Sequence, residues 1–268
     1  MSALPPFDQH ATFHLTSPPH PTWTPGTHQP APASHGSTVS IDPAALAKPD
    51  MYKLIISAVV PRPIALVSTV DAETGVVNVA PYSYFNVVCH DPPTLMISVN
   101  AGRTGPKDTL RNILSTSQLV INTFSEWTAE SANHTTTPYP ASVSELPSSA
   151  LTPVASELVR PPRIAESAVS FECRVAHVNM LHNKDGKATA GVVLAEVVRV
   201  HVKEGVYDRE KGIVDLAELR PLGRLGGTMY GRVVSGFELH RPATVVAETK
   251  EAREVQEGKL AVAEQARN

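Results

Sequence analysis

The run Arg103-Thr104-Gly105-Pro106-Lys107-Asp108-Thr109 carries the residue types of a phosphate cradle. It leads into a stretch of helical spacing, and the unpaired amide groups at a helix start favour an anion. Gly105 lets backbone approach closely, Lys107 adds charge and Thr109 a hydroxyl donor. Asp108 would repel phosphate if aimed at it; a first-turn acid favoured by the helix dipole, or a partner for a nearby arginine, explains it better. An ordinary helix start is the competing reading of the same run. The second run, NVAPYSYFN from Asn78 to Asn86, sets two amides, a serine and three aromatics beside an apolar strand. Such a set suits a flat heteroaromatic ring with a carbonyl and nitrogen edge. It equally suits a barrel strand with core aromatics.

Other chemistries lack their signatures. No G-x-G-x-x-G follows a strand and no G-x-x-x-x-G-K-[ST] occurs, so dinucleotide-binding and P-loop readings fail. Gly223-Arg224-Leu225-Gly226-Gly227 has neither the lysine nor the hydroxyl of a P-loop and reads as a tight turn or close-packing element. No Ser-His-Asp order or paired carboxylates argue for hydrolysis. His134 precedes a proline- and serine-rich stretch from Thr137 to Pro162 and reads either as a site residue or as a surface histidine. Cys89 and Cys173 form no C-x-x-C pair and read as small buried apolar residues. No metal site is expected, because the prolines between His10, His14, His20, His28 and His35 prevent a helix from gathering them.

At 268 residues, with 42% hydrophobic and 18% charged residues, the chain is long enough for one large barrel domain. A net charge of -3 supplies no field for phosphate backbones or anionic lipid, so neither nucleic acid nor membrane is expected as a partner. The N-terminus lacks the pattern of a signal or transit peptide, and Pro61, Arg62 and Pro63 interrupt the longest apolar run. A cytoplasmic location is the expectation. Eight of 24 prolines and five of 11 histidines fall in residues 1–36, predicting an extended arm with Phe13, Leu15 and Trp23 as possible anchors. Residues 37–240 read as the folded domain and 241–268 as a charged helix or tail, helical from Glu248.

The elements that position these residues are mainly β. A short helix is expected from Asp42 to Lys48, ended by Pro49, and another over Met51 to Ala58. Strands follow at Ile64–Val70, Val76–Val79, Thr94–Val99 and Leu119–Phe124, with a helix from about Lys107 to Leu114 whose Leu110, Ile113 and Leu114 share a face. Ser170–Met180 and Ala190–Val202 flank the turn Asn183-Lys184-Asp185-Gly186-Lys187 as a hairpin. In its return arm Val198, Val200 and Val202 should be dry and Arg199, His201 and Lys203 wet. Asp215 to Leu219 adds a helical turn. Many strands and few helices favour closure into a barrel, which removes sheet edges.

PRPIALVSTVD from Pro61, NVAPYSYFNVV from Asn78, DPPTLMISV from Asp91, KDTLRNI from Lys107 and GRLGG from Gly223 occur in order over roughly Tyr52 to Tyr230. In this the chain resembles the flavoredoxin type of the flavin-reductase-like family. The resemblance implies an FMN-binding split β-barrel of Greek-key type with a few short flanking helices, and a homodimer with the flavin near the interface. It implies flavin contacts from Ser68 and Thr69, a ring-binding strand with Ser83, Phe85 and Asn86, and a phosphate side at Lys107, Asp108 and Thr109. Arg62 is a candidate phosphate partner or a turn arginine. The activity implied is hydride transfer from NADH or NADPH to bound flavin, then electron delivery to a small-molecule acceptor or a partner oxidoreductase. An FMN oxidoreductase for one small organic substrate and a non-catalytic flavin carrier remain the alternatives. The proline-rich arm and the Thr137 to Pro162 stretch depart from the family pattern, so substrate access should differ.

Overall fold

The computed structural model describes residues 4–29, 32–102 and 105–241. The described residues fall into two compact units, one of those within 4–13 and 43–234 and the other of those within 14–42 and 235–241. In the second unit strand β1 (His14–Leu15) pairs in parallel with β16 (Ser235–Gly236), numbering strands in chain order. The expected arm of residues 1–36 is therefore divided. Phe7 stacks on the guanidinium of Arg232, which also donates to the carbonyls of Asp8 and Ala11, so these residues belong to the first unit. The expected C-terminal helix or tail, apart from Arg241, lies outside the described residues.

The first unit opens with helix α1 (Lys48–Ala58) and continues through β2 (Arg62–Pro63), β3 (Ala65–Val70), β4 (Val77–Tyr82), β5 (Phe85–His90) and β6 (Pro93–Asn100). Helix α2 (Asp108–Thr116) and β7 (Gln118–Thr123) follow, then helices α3 (Ala129–His134) and α4 (Leu146–Ser149). The short pair β8 (Pro153–Val154) and β9 (Arg163–Ile164) precedes the long strands β10 (Val169–His182) and β11 (Ala188–Val202). A last group comprises β12 (Tyr207–Asp208), β13 (Ile213–Val214), helix α5 (Leu216–Leu219), β14 (Leu222–Arg224) and β15 (Tyr230–Arg232).

Seven strands form one antiparallel sheet in the order β4-β3-β7-β10-β11-β6-β5. Its two edges are consecutive in sequence, joined through Ser83 and Tyr84, yet share no ladder among the described residues, so the curled sheet is split between β4 and β5. Every residue of β3 is buried, because Ala65 and Val67 face a core with Ile97, Ile121 and Val193 while Leu66 faces a second core with Val79 and Phe124. Covering both faces explains its continuous apolar sequence. Helix α2 lies against the first core through Leu110 and Ile113. It comes so close to β11 that a Cβ at Gly191 would stand 2.7 Å from Leu110 Cδ1.

The late hairpin and its turn are as expected, with the Asn183 amide donating to the Lys187 carbonyl at 2.9 Å. The GRLGG run packs closely, since a Cβ at Gly223 would meet Pro61 Cβ at 2.9 Å. Several expectations are corrected. Pro49 opens α1 instead of ending a helix, its missing N–H costing nothing in a first turn, and a 3-10 turn (Pro43–Ala45) stands where the first helix was expected. Leu114 is half exposed, and Thr109 and Asn112 take the buried places on α2. Arg199 and Lys203 are exposed as expected and Val198 and Val202 partly covered, but Val200 is 48% exposed while His201 turns inward to the fully buried Glu172, so the expected alternation fails at these two positions. A buried carboxylate demands a partner, and a bulge between Glu172 and Cys173 breaks the simple alternation. Cys173 is buried, its thiol pushed up to about 12 chiefly by burial, whereas Cys89 is only partly covered.

Candidate functional site

The run from Asn78 to Asn86 is two strands and a bend. β4 carries Asn78 to Tyr82 and β5 begins at Phe85, and the period-two pattern of the aromatics hides the break at Ser83. Beside the split lie two adjoining cavities, of about 460 and 150 Å3, that share Pro81, Tyr82 and Lys107 in their walls. Gly105, Pro106, Asp108 and Thr109 from the approach to α2 line the larger one, facing Thr135 to Tyr139 and Glu145. Tyr52, Ser83, Tyr84, Ser98 and Asn100 complete the smaller one. The Arg103 and Thr104 members of the proposed cradle lie outside the described residues.

Helix α2 begins beyond Lys107, which sits at the N-cap without any side-chain cap, so its leading amides face this space unserved by a capping group. Lys107 is exposed, and among the described residues no ion pair engages it. Asp108 fills the role foreseen for it, pairing with Arg111 Nη1 at 2.7 Å in the first turn. A buried polar network fixes this helix start. Asn78 Nδ2 donates to Thr109 Oγ1 at 2.8 Å and approaches Thr69 Oγ1 at 3.3 Å, while Asn112 Nδ2 donates to Thr69 Oγ1 at 3.2 Å. Burial pushes the Tyr82 hydroxyl up to about 12, with Thr109 offsetting part of the effect by a hydrogen bond. The phenol is therefore neutral at physiological pH and presents a ring face and a hydroxyl.

The sequence-derived site residues separate into three groups. Lys107, Asp108, Thr109 and Ser83 line the paired cavities. Ser68 and Thr69 are fully buried in β3: Ser68 Oγ donates to the Pro162 carbonyl and Thr69 belongs to the network just described, so neither reaches the cavities. Phe85 packs on the core and borders a separate apolar cavity, and Asn86 is exposed with its Oδ1 accepting from the Val87 amide. Arg62 is neither a free phosphate partner nor a surface turn residue. Only 7% exposed, it donates to the carbonyls of Ile56 and Val59 at 2.6 Å each, to Leu225 O at 3.0 Å and to Ser83 Oγ at 3.3 Å. It thereby locks the end of α1 and the GRLGG run behind Ser83. His134 is exposed at the end of α3 and does not line either cavity.

Sequence reasoning missed Glu145 and Tyr139. Glu145 is 6% exposed, accepts from the Val79 amide at 3.1 Å, and has its pKa raised mainly by burial and slightly by Asp108. No local pattern marks it, since it stands in a proline- and serine-rich stretch that only folding brings onto β4. The residues present fit an FMN-sized ligand with an anionic end: an uncapped helix start, a free lysine, a proline and tyrosine wall, and hydroxyl and amide groups from Ser83, Ser98 and Asn100 at the far side.

Residues 57–221 match the family described as flavin reductase like domain. Nitrilotriacetate monooxygenase component B from Bacillus cereus is 33% identical, with a TM-score of 0.73, covering 76% of this chain and 99% of that one. The 2-nitrobenzoate 2-nitroreductase NbaA of Pseudomonas fluorescens is 31% identical, with a TM-score of 0.68, covering 79% and 100%. A split-barrel protein from Shewanella frigidimarina is similar in fold, at 22% identity and a TM-score of 0.62 over 75% of this chain and 96% of that one.

Proposed function

This chain belongs to the flavin reductase-like family and has its split-barrel fold, and from that premise we propose that it is an FMN-dependent oxidoreductase. In this reading NADH or NADPH reduces FMN held across the paired cavities, and the electrons pass to a second acceptor. The observation that carries it is the placement of Lys107 and the uncapped start of α2 at the junction of the two cavities, against the Pro81 and Tyr82 wall.

When bound, FMN would supply two-electron transfer at its ring. The protein's own residues do the rest. Lys107 and the first amides of α2 hold negative charge at the phosphate end. Thr109, fixed by Asn78, keeps that helix start in register with β4. Pro81 and Tyr82 offer an apolar face, and Ser83, Ser98 and Asn100 offer polar edges. Residues Thr135 to Tyr139 border the larger cavity opposite the start of α2, and Glu145 can hold a proton there at a higher pH than an exposed carboxyl.

That wall favours one refinement. A 460 Å3 space bordered by four threonines, Tyr139 and Glu145 has room for a small organic acceptor beside the flavin, and one similar protein is a nitroreductase. We read the acceptor as a small organic molecule in preference to a partner protein. A homodimer with the flavin near the interface and a cytoplasmic location are part of the same proposal. Among the described residues no helix is long and apolar enough to cross a membrane.

The test is spectroscopic. The purified protein should show the absorption of oxidised flavin or acquire it with FMN, and anaerobic NADH or NADPH should bleach it rapidly. Bleaching by dithionite alone would make the protein a carrier, and no flavin binding at all would end the proposal. Sedimentation at decreasing concentration tests the dimer, which should lose flavin as it dissociates.

A further inference from the structure

Another cavity, of about 360 Å3, lies between the β8–β9 segment and the end of the β10–β11 hairpin, apart from the paired cavities. Arg163, Ser167, Ser170, His201 and Lys203 border it, and no carboxylate does among the described residues. The neighbouring acids are committed elsewhere. Glu172 accepts from the amides of Glu157 and Leu158 at 2.8 and 2.6 Å and meets His201 Nε2 at 2.7 Å. Glu157 pairs with Arg199 at 3.4 Å and stands 3.9 Å from His201 Nδ1. Glu166 accepts from the Thr152 amide at 3.0 Å, and against burial its carboxyl is held lower by that bond and by the charge of Lys203. Ser170 Oγ donates to Asn122 Oδ1 at 2.8 Å, so its hydroxyl proton is spent.

Among the described residues, two donors at this cavity remain unmet. Arg163 Nη2 donates to the Ala155 carbonyl at 3.1 Å, but its Nε is buried without a partner. Ser167 is 5% exposed, and its Oγ is likewise buried and unpartnered. Buried donors are rarely left without acceptors in folded proteins, so two beside one cavity call for an acceptor that comes from outside. An arginine fork, a lysine and a hydroxyl form a donor-rich set with no carboxylate among the lining residues, suited to a doubly charged oxyanion.

The geometry points to a phosphate-binding site in this cavity, with Arg163 and Ser167 donating to the phosphate oxygens and Lys203 supplying the second positive charge. The space exceeds what a bare phosphate fills, so inorganic phosphate and a phosphomonoester are both accommodated. The site is independent of the flavin reading, since none of its residues lines the paired cavities.

Calorimetric titration of the full chain as purified, in phosphate-free buffer, with inorganic phosphate and separately with 5′-AMP tests this. A saturable site of one per chain is expected. Arg163→Gln should weaken it by about tenfold to a hundredfold, the loss of a charged hydrogen bond, and Ser167→Ala by several-fold. Tighter binding of 5′-AMP than of phosphate makes a phosphomonoester the ligand; equal binding makes it free phosphate. If Arg163→Gln fails to fold, the exposed Lys203→Gln carries the test, and it must weaken binding and flatten its salt dependence. Heat that does not saturate, or affinities unchanged in Lys203→Gln and Ser167→Ala, would overturn the assignment.

Discussion

Replacing Arg62 by alanine should destabilise the first unit far more than it alters any flavin contact. The side chain is 7% exposed and its guanidinium serves the Ile56, Val59 and Leu225 carbonyls and the Ser83 hydroxyl. Ile56 and Val59 lie at the C-terminal end of α1, where the helix leaves carbonyls unpaired and a cation is favoured. A hydrogen bond from a charged donor contributes about 1.5 to 3 kcal/mol, but bonds sharing one group are not additive. Counting two of the three carbonyl bonds near the lower end gives a loss of about 3 to 5 kcal/mol. With a urea dependence of about 1 to 3 kcal/mol per molar, the unfolding midpoint should fall by roughly 1 to 5 M. Arg62→Lys should recover only part, because one ammonium cannot span the positions that the planar fork reaches. Urea unfolding followed by circular dichroism measures both variants, with FMN affinity read in parallel by fluorescence. A stability loss under about 1 kcal/mol together with a tenfold loss of FMN affinity would refute the anchoring argument and return Arg62 to the phosphate.

Lys107→Ala should weaken FMN by about tenfold or more while leaving riboflavin nearly unchanged, because the ligands differ only by the phosphate; equal losses by fluorescence titration would move Lys107 to the ring or the fold. Glu145 has a raised folded pKa, so its contribution to stability is complete below its unfolded value of 4.5 and is lost as pH rises through the folded one. Glu145→Gln should therefore gain on the wild type between pH 4 and 8, and parallel stability profiles would count against burial of that carboxylate. Glu172 runs the other way: burial alone would raise its pKa, but the Glu157 and Leu158 amides and His201 outweigh it and hold the carboxyl below its usual range. Its contribution is present above 4.5 and lost as pH falls through the folded pKa, so the stability deficit of Glu172→Gln, about 2 to 4 kcal/mol near neutrality, should shrink in acid. A deficit that stays constant down to pH 3 would sink that account.

The residue types along the chain determined the strands of the sheet other than β5, the late hairpin and its Asn183 to Lys187 turn, the helix start after Lys107 and the pairing of Asp108 with a nearby arginine. These depend on side-chain period, turn chemistry and the helix dipole, all of which act within a few residues. They also sufficed to mark the five ordered motifs by which the family is legible. Which polar residue meets which partner was decided only by the tertiary fold. Ser68 and Thr69 stand in a conspicuous strand, yet folding commits them to Pro162 and to Asn78 and Asn112. Glu145 stands in an unpatterned stretch, yet folding delivers it to Val79, 66 residues away. His201 alternates like a surface residue but is drawn inward by the buried Glu172. A buried polar group must find a partner wherever the packed chain offers one, and that partner is chosen by the meeting of distant segments, which local period does not encode.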